Sequence, residues 1–395
     1  MMSWLPALLV TLAMQSTTAF LNRALPVIGP AITESAGVTP ERIGHLASLT
    51  SFGTMLFFVV GTQLLKRYGP VRLLQVGASL AGLSMMLGLG GWWGGFLVTA
   101  LCIGLGYGPS APAGSDILAR HAPRHRRSLV FSIKQAGVPL GGALAGLILA
   151  PVIALAGWQA ALVVGAILPA LVAVAVQPWR PAIDASRDPA APIGPATLFA
   201  WDNLSAPFRA LLLPGIAGIS YAGFCFAVAQ GALLTFFVTF LTEHVGYSLV
   251  AAASLFALMQ ALGVVSRVAV GWIADVVGSA RITLLLLAVA SAALMAAVAM
   301  IGPQWPPLAV LAVAAVAGVA VASWNGVYLS EIASLAPPDK VGEATAGSTF
   351  VTFAGYVICP SAVALLVGAT GDYAIGFLAA AAFPASAAVA LWLRR

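Results

Sequence analysis

Charged residues are scarce in this sequence: Asp, Glu, Lys and Arg make up 8% of its 395 residues, whereas 61% are hydrophobic. A soluble domain of this length could not keep so much apolar surface away from water. The shortage of charge therefore excludes an ordinary soluble domain and indicates that the lipid bilayer is the solvent.

Cysteine and histidine are also scarce, which limits the chemistry that the chain can perform. The three cysteines each lie inside an apolar run with no second cysteine or histidine nearby, and we interpret them as packing residues. The four histidines are isolated or lie in a basic loop: His45, His121, His125 and His244. With no nucleophile paired to a base and no phosphate-binding loop, the sequence predicts no catalytic residue, no metal site, no cofactor and no enzyme.

Long hydrophobic runs fill most of the chain, and each is near the roughly 20 residues that a helix needs to cross a bilayer. Six runs cover about residues 4–31, 42–65, 71–91, 93–119, 128–155 and 157–177. Six more cover about 208–240, 246–275, 281–301, 306–335, 343–369 and 372–393. We therefore predict an all-α integral membrane protein of twelve transmembrane helices: a six-helix bundle at 1–178, a polar, proline-rich cytoplasmic linker at 179–207, and a second bundle at 208–395.

The basic residues indicate how the chain is oriented. Thirteen of the 18 fall on one side of the membrane, at Lys66, Arg67, Arg72, Arg120, Arg124, Arg126, Arg127, Arg180, Arg187, Arg281, Lys340, Arg394 and Arg395. The opposite loops offer little beyond Arg42. Positively charged loops remain in the cytoplasm, so both termini are predicted to lie inside a bacterial inner membrane. The net charge of +6 is explained by these topology signals and not by a nucleic-acid partner.

An internal repeat relates the two predicted halves. A shift of 209 residues places Gly37 on Gly246, Gly69 on Gly278 and Arg72 on Arg281 without a gap. A shift of 215 residues places Asp116-Ile117 on Glu331-Ile332, after helices of equal rank. Parallel halves related by a pseudo-two-fold axis along the membrane normal are typical of transporters with a central substrate site. The repeat therefore favours transport over a simple membrane anchor.

The loop Gly271-Trp-Ile-Ala-Asp275-Val-Val-Gly278 resembles the G-x-x-x-D-x-x-G signature of the major facilitator superfamily. The corresponding first-half loop has Lys66 where the family has aspartate and Thr62 where it has glycine, which weakens any inherited gating role there. Residues 123–128 and 338–344 resemble the family's loops after helices four and ten. The resemblance covers the whole chain and implies transport by alternating access of two six-helix bundles, with a monomer as the family default.

Within that superfamily, residues 131–142 look like helix five of cyanate-permease-like and related monocarboxylate porters. Arg267 matches a helix-eight arginine that monocarboxylate porters use on the substrate carboxylate, and Arg23 resembles a helix-one arginine of organic-anion symporters. Helices one, seven and ten line the cavity in this family. The resemblance thus adds the uncharged candidates Tyr221, Gln230 and Asn325 to the predicted substrate site.

Three basic residues fall well inside predicted membrane helices: Arg23, Lys134 and Arg267. Each lies roughly 10–16 Å along its helix from the nearer end, at 1.5 Å per residue. Because a charge near the bilayer centre costs at least about 2.5–3.5 kcal/mol, such residues usually face a cavity or a partner. We expect them, with Gln135 beside Lys134, to bind an anion. Alternatively, Arg267 pairs with the Asp275 loop, and Arg23 or Lys134 reaches to the membrane interface.

The acidic residues are expected near helix ends. Asp116, Asp275 and Glu331 are candidates for gating through ion pairs with Arg127 or Arg281, and plain structural pairing is the alternative. No carboxylate is placed at mid-membrane. The first rival function is a proton-coupled efflux pump for drugs or lipophilic cations, which would need a carboxylate at mid-membrane. The second rival is a membrane enzyme or receptor. The predicted partners are an anionic substrate and membrane lipids, and co-transport of a proton or cation is left open.

Overall fold

The computed structural model describes residues 4–35, 37 and 43–393, and this part of the chain is helical without a strand. Ten helices are long and apolar enough to cross a membrane, and a pair of helices bent by 66° at residue 61 adds an eleventh crossing. One long helix is interrupted at Gly157, whose φ of 81° and ψ of 169° are not helical, and this break gives the twelfth. The predicted all-α membrane fold is confirmed. Arg42 lies outside the described residues.

The chain forms two compact units, each of which gathers its helices around its own core. The helices of unit 1 are α1 (Trp4–Ser35), α2 (Ile43–Val60), α3 (Thr62–Tyr68), α4 (Pro70–Ser84), α5 (Trp93–Tyr107), α6 (Ser110–His121), α7 (Arg127–Ala175), α8 (Arg180–Ile183), α9 (Pro195–Leu198) and α10 (Trp201–Ala210). Its core includes Phe20 of α1, Phe96 of α5 and Leu162 of α7. Small residues allow close packing: a β-carbon on Gly53 of α2 would lie 2.5 Å from the Leu101 carbonyl oxygen of α5.

The helices of unit 2 are α11 (Ile216–Phe240), α12 (Leu249–Val277), α13 (Ala280–Ala299), α14 (Pro307–Ala322), α15 (Trp324–Leu335), α16 (Val341–Thr370) and α17 (Tyr373–Leu393). Aromatic side chains fill its core, where Phe240 meets Phe377 edge to face with ring centroids 5.2 Å apart. The side chains of Leu286, Leu308 and Leu365 are exposed, as expected for helices that lie in lipid.

The two units follow the predicted halves along most of the chain but exchange two short segments. Arg124–Ile133, which includes the start of α7, belongs to unit 2, and Ala336–Gly347, which includes the start of α16, belongs to unit 1. The 215-residue shift brings these two segments nearly into register. The exchange therefore obeys the same internal repeat that the sequence predicts.

At two equivalent positions of the repeat, a helix ends at a glycine with positive φ. We call residues 62–72 the first-repeat loop and residues 271–281 the second-repeat loop. Gly69 has φ 85° and Gly278 has φ 72°, a left-handed conformation that a residue with a β-carbon adopts only with strain. In each case a new helix follows, α4 with Pro70 at its first position and α13 capped by Ser279.

The linker after the first bundle is folded against unit 1. Asp184 is only 2% exposed, and its carboxylate accepts the backbone N–H groups of Val71 (2.8 Å) and Arg72 (3.0 Å) at the start of α4. Arg180 forms an ion pair with the same carboxylate at 3.3 Å. Because a carboxylate at a helix N-terminus satisfies otherwise unpaired donors, Asp184 fixes the linker to the first-repeat loop.

Candidate functional site

Arg23 lies on α1 with its stem along α7. A β-carbon on Gly142 would stand 3.5 Å from Arg23 Cγ, so the glycine leaves room for this contact. The arginine side chain is exposed and has no ion pair or hydrogen bond with another described residue. Its guanidinium is therefore available to an incoming anion.

Lys134 lies on α7 and is 1% exposed. Its Nζ donates hydrogen bonds to the Ser110 carbonyl oxygen of α6 at 2.8 Å and to Gln135 Oε1 at 3.1 Å. A β-carbon on Gly114 would stand 2.7 Å from Lys134 Cε, so α6 needs glycine there to admit the lysine. Thr18 of α1 joins the same group through its hydroxyl, 2.8 Å from Ser110 Oγ. The structure thus brings the predicted Lys134 and Gln135 together in unit 1.

Arg267 lies on α12 in unit 2 and is 9% exposed. Its Nε donates a 2.7 Å hydrogen bond to the carbonyl oxygen of Ala322, the last residue of α14. Next to it, Ser266 and Ser323 share a hydrogen bond of 2.6 Å between their hydroxyl oxygens. A cation at a helix C-terminus is favoured by the helix dipole, so α14 holds Arg267 in place.

Gln230 lies at the centre of a polar and aromatic cluster in unit 2. Its Oε1 accepts hydrogen bonds from Tyr356 Oη at 2.6 Å and from Trp324 Nε1 at 3.2 Å. The indole of Trp324 stacks on Phe226, with ring centroids 5.3 Å apart and planes 12° from parallel. Trp324, Phe226 and Gln230 are buried, and Tyr356 is the partly exposed member of this Gln230 cluster.

Two other predicted residues lie outside this cluster. Asn325, which is half-buried, follows Trp324 and has no hydrogen bond to another described residue. Tyr221 is 42% exposed, and its hydroxyl lies 2.8 Å from Ser386 Oγ of α17. Sequence reasoning missed Tyr356, because a single aromatic residue on an apolar helix resembles core packing. Its contact with Gln230 depends on how α16 packs against α11.

The predicted gating residues have partners other than the expected ones. Asp275 accepts the backbone N–H groups of Ser128 (2.9 Å) and Leu129 (2.8 Å), in the first turn of α7 that begins at Arg127. The expected pairing of this aspartate with an arginine is thus replaced by helix capping. The alternative in which Arg267 pairs with the Asp275 loop is likewise replaced by its contact with Ala322.

The other charged candidates are bound locally. Asp116 pairs with Arg120 one turn along α6. The Arg281 guanidinium donates to the Leu391 carbonyl oxygen near the end of α17 at 2.8 and 3.2 Å. Glu331 Oε2 accepts a 3.4 Å hydrogen bond from Ser334. The direct contacts of Asp116 and Glu331 are therefore local, while the Arg281 charge attracts that of Glu331. Pairing with Arg127 stays a prediction.

Lys66 forms an ion pair with Glu343 at 2.5 Å, a contact that sequence reasoning missed. Lys66 occupies the position of Asp275 in the repeat, and Glu343 occupies the position of Ser128. The sequence shows that Lys66 departs from the family pattern, but the partner of Lys66 lies 277 residues away along the chain. Only the two repeat registers together, a shift of 209 residues for Lys66 and of 215 residues for Glu343, could have identified it.

A family model described as Major Facilitator Superfamily matches residues 8–346. The chain is 28% identical over 279 residues to a 4-hydroxybenzoate transporter of Pseudomonas putida, covering 64% of this chain and 62% of that protein. It is 24% identical to a hexuronate transporter of Bacillus subtilis, covering 94% and 90%. It is also similar in fold to the fucose:proton symporter of E. coli, with TM-score 0.77, 16% identity and 100% and 99% coverage. The alignment with the P. putida relative thus spans less than two thirds of that relative's length.

Proposed function

The chain belongs to the Major Facilitator Superfamily, and we propose on that basis that it carries a small organic anion, first of all a monocarboxylate, across the bacterial inner membrane. Members of this family are multi-pass membrane transporters of small molecules and not enzymes. We further propose alternating access as the mechanism, both termini in the cytoplasm, and a monomer as the working unit.

The observation that carries the proposal is the sign of the charges inside the membrane. Arg23, Lys134 and Arg267 lie within membrane-crossing helices, whereas the described carboxylates lie near helix ends or in connecting segments. An excess of positive charge in a medium of low dielectric favours an anionic ligand, and an arginine fork suits a carboxylate. A carrier of lipophilic cations would place the opposite charge there.

The Gln230 cluster supports an aromatic acid as the first substrate to test. Tyr356 is partly exposed and supplies an aromatic ring and a hydroxyl group beside the Gln230 amide. Trp324 and Phe226 are buried against each other and hold Gln230 in place. The similar proteins named for 4-hydroxybenzoate and 3-(3-hydroxyphenyl)propionate transport carry ligands that combine a ring, a hydroxyl and a carboxylate. We propose as substrate contacts Arg23, Lys134 and Gln135 in unit 1, and Arg267, Tyr221, Gln230 and Asn325 in unit 2.

Asp275 is proposed to act in gating together with the charged groups near it on unit 2, Arg127, Arg281 and Glu331. Its two hydrogen bonds to the first turn of α7 would form in one access state and break in the other. Asp116, which pairs within its own helix, is proposed to act only through Arg120. Gating of this kind changes the rate of transport more than the affinity for substrate.

The test is ligand-dependent thermal stabilisation of the purified protein in detergent. The panel contains 4-hydroxybenzoate, galacturonate, sulfoacetate, chloride and tetraphenylphosphonium. A ligand that binds the folded state at 100 times its Kd stabilises it by about 2.7 kcal/mol, so a bound acid will raise the apparent Tm. We expect 4-hydroxybenzoate to do so.

Arg23→Gln and Arg267→Gln are expected to weaken this binding at least about tenfold each, because a hydrogen bond to a charged group contributes about 1.5–3 kcal/mol. Arg209→Gln is the matched control and should bind like the wild type, since this exposed arginine pairs with Asp202 at 3.0 Å outside the predicted site. Unchanged affinity in both arginine variants would refute the anion site. Stabilisation by tetraphenylphosphonium alone would establish the efflux pump instead.

A further inference from the structure

Lys134 is the most deeply buried cation of the described residues, and its environment lacks the usual compensation. Removing an ammonium group from water is costly, and buried cations in proteins are normally paired with a carboxylate. Lys134 has instead two neutral acceptors, the Ser110 carbonyl oxygen and Gln135 Oε1. Among the residues that the structure describes, no carboxylate forms an ion pair with it.

Unpartnered polar atoms lie in the same part of unit 1. Gln15 Oε1 and Ser16 Oγ of α1, and Ser115 Oγ of α6, are buried and have no hydrogen-bond partner among the described residues. A β-carbon on Gly137, one turn along α7 from Lys134, would stand 3.0 Å from Ser16 Oγ. Buried polar atoms are nearly always satisfied by protein or by water. The surroundings of Lys134 are therefore a polar pocket suited to water and to proton movement.

The charged and titratable groups on the three helices packed around Lys134 are few. Helix α1 contributes Arg23, and α7 contributes Arg127, roughly 10 Å along the helix. Helix α6 contributes Asp116 and Arg120, which pair with each other, and His121, whose Nδ1 lies 2.8 Å from the Ile117 carbonyl oxygen. Helix α1 also carries Glu34 in its last turn, roughly 16 Å along the helix beyond Arg23. An anionic ligand would supply, at Lys134 itself, the negative charge that this residue lacks.

We infer that Lys134 is the proton-binding group that couples transport of the substrate anion to the movement of a proton, an inference that rests on the proposed function. The neutral amine accepts a proton on its lone pair and becomes an ammonium. The anion then binds to the charged form, and the proton leaves the amine when the anion is released. No bond within the substrate forms or breaks. Arg23 and Arg267 cannot take this role, because a guanidinium stays protonated in proteins.

The experiment uses the full chain in liposomes with radiolabelled 4-hydroxybenzoate as the probe and protein-free liposomes as the background. One assay measures accumulation driven by a pH gradient, acidic outside. The other measures exchange of labelled for unlabelled probe without a gradient. Lys134→Arg is expected to keep exchange and to lose the response to the gradient, since a guanidinium does not release its proton. Lys134→Gln lacks the positive charge that binds the anion and should weaken exchange as well. Lys340→Gln is the control and should keep both.

Each outcome of these assays either supports the role of Lys134 or overturns it. Accumulation restored by Lys134→Arg would overturn the inference, because a fixed positive charge would then suffice. Wild-type exchange with no response to the gradient would overturn it and leave the proposed function intact. Absence of both exchange and ligand-induced stabilisation in the wild type would overturn the proposed function and the inference with it. If neither variant folds, the wild type decides: probe binding in weakly buffered detergent must take up protons, and no uptake refutes the proposal.

Discussion

The first-repeat and second-repeat loops hold equivalent helix starts by different chemistry. In the second, Asp275 accepts two backbone N–H groups in the first turn of α7. In the first, Lys66 forms a side-chain ion pair with Glu343 in the first turn of α16. The carboxylate belongs to the loop in the second repeat and to the helix start, at Glu343, in the first. The internal repeat has therefore preserved which positions touch and not which residues they are.

The two contacts should also differ in strength. An aspartate that accepts N–H groups at a helix N-terminus gains from the helix dipole and stabilises by about 1–2 kcal/mol. Lys66 is 47% exposed, and exposed ion pairs typically contribute only about 0.2–1 kcal/mol. The first-repeat loop compensates with the buried Asp184 of the linker, which caps α4 and ties that loop to unit 1. The second-repeat loop has no comparable insert among the described residues.

The largest expected difference between the loops concerns their glycines. Gly69→Ala and Gly278→Ala both put a β-carbon at positive φ, which costs about 1–2 kcal/mol. At Gly69 the new carbon would also stand 2.5 Å from Asp184 Cγ, whereas at Gly278 nothing lies within 4 Å. Because Asp184 is fixed by three partners, overpacking adds about 1–3 kcal/mol at Gly69 alone.

Thermal unfolding in detergent checks this order: Gly69→Ala should lower the apparent Tm clearly more than Gly278→Ala. The double variant Gly69→Ala with Asp184→Ala serves as a control, because it relieves the clash while it removes the cap. Equal losses of Tm in the two single variants would show that the linker does not distinguish the loops.

A smaller effect is expected from Asp275→Asn, which removes the charge but keeps one acceptor. We expect exchange of 4-hydroxybenzoate to slow about tenfold, corresponding to the loss of about 1.4 kcal/mol from the α7 contact, with little change in binding. Asp372→Asn is the matched control, since Asp372 likewise caps a helix start, through the Ala374 N–H at 2.8 Å, but lies outside both loops. A drop in Tm without a change in exchange would assign Asp275 to structure alone.

The smallest effect is expected for the ion pair. Lys66→Glu or Glu343→Lys alone puts like charges together and should change exchange by only a few fold, because the pair is partly exposed to solvent. Lys66→Glu combined with Glu343→Lys should restore the wild-type rate. The double-mutant cycle measures the coupling energy directly. Failure of the swap to restore exchange, with both single variants impaired, would show that Lys66 or Glu343 acts through another partner.

Apolar runs and glycines made most of the fold predictable. The twelve crossings follow from the lengths of the runs, and the repeat register correctly paired Gly69 with Gly278, both of which have positive φ. The linker was different. A polar, proline-rich stretch predicts solvated chain, and only the i, i+4 spacing of Arg180 and Asp184 hinted that part of it folds.

The candidate site was less predictable, because sequence gives the depth of a residue along its helix but not the direction of its side chain. Arg23, Lys134 and Arg267 were selected correctly as residues within crossing helices. Their surroundings depend on neighbours far along the chain, such as Ser110 for Lys134 and Ala322 for Arg267. Tyr221 and Gln230 are nine residues apart on α11, yet only Gln230 meets Trp324, since rotation about the helix axis separates them.

Gly157 has a practical consequence for work on this molecule. It is the single non-helical residue within α7, so two membrane crossings are joined with almost no loop between them. An epitope tag, a protease site or a fluorescent protein inserted there would have no loop to occupy and would break helical hydrogen bonds on either side. Topology mapping by insertion is better placed in the Gly302–Trp305 turn between α13 and α14, where the chain leaves its helices for several residues.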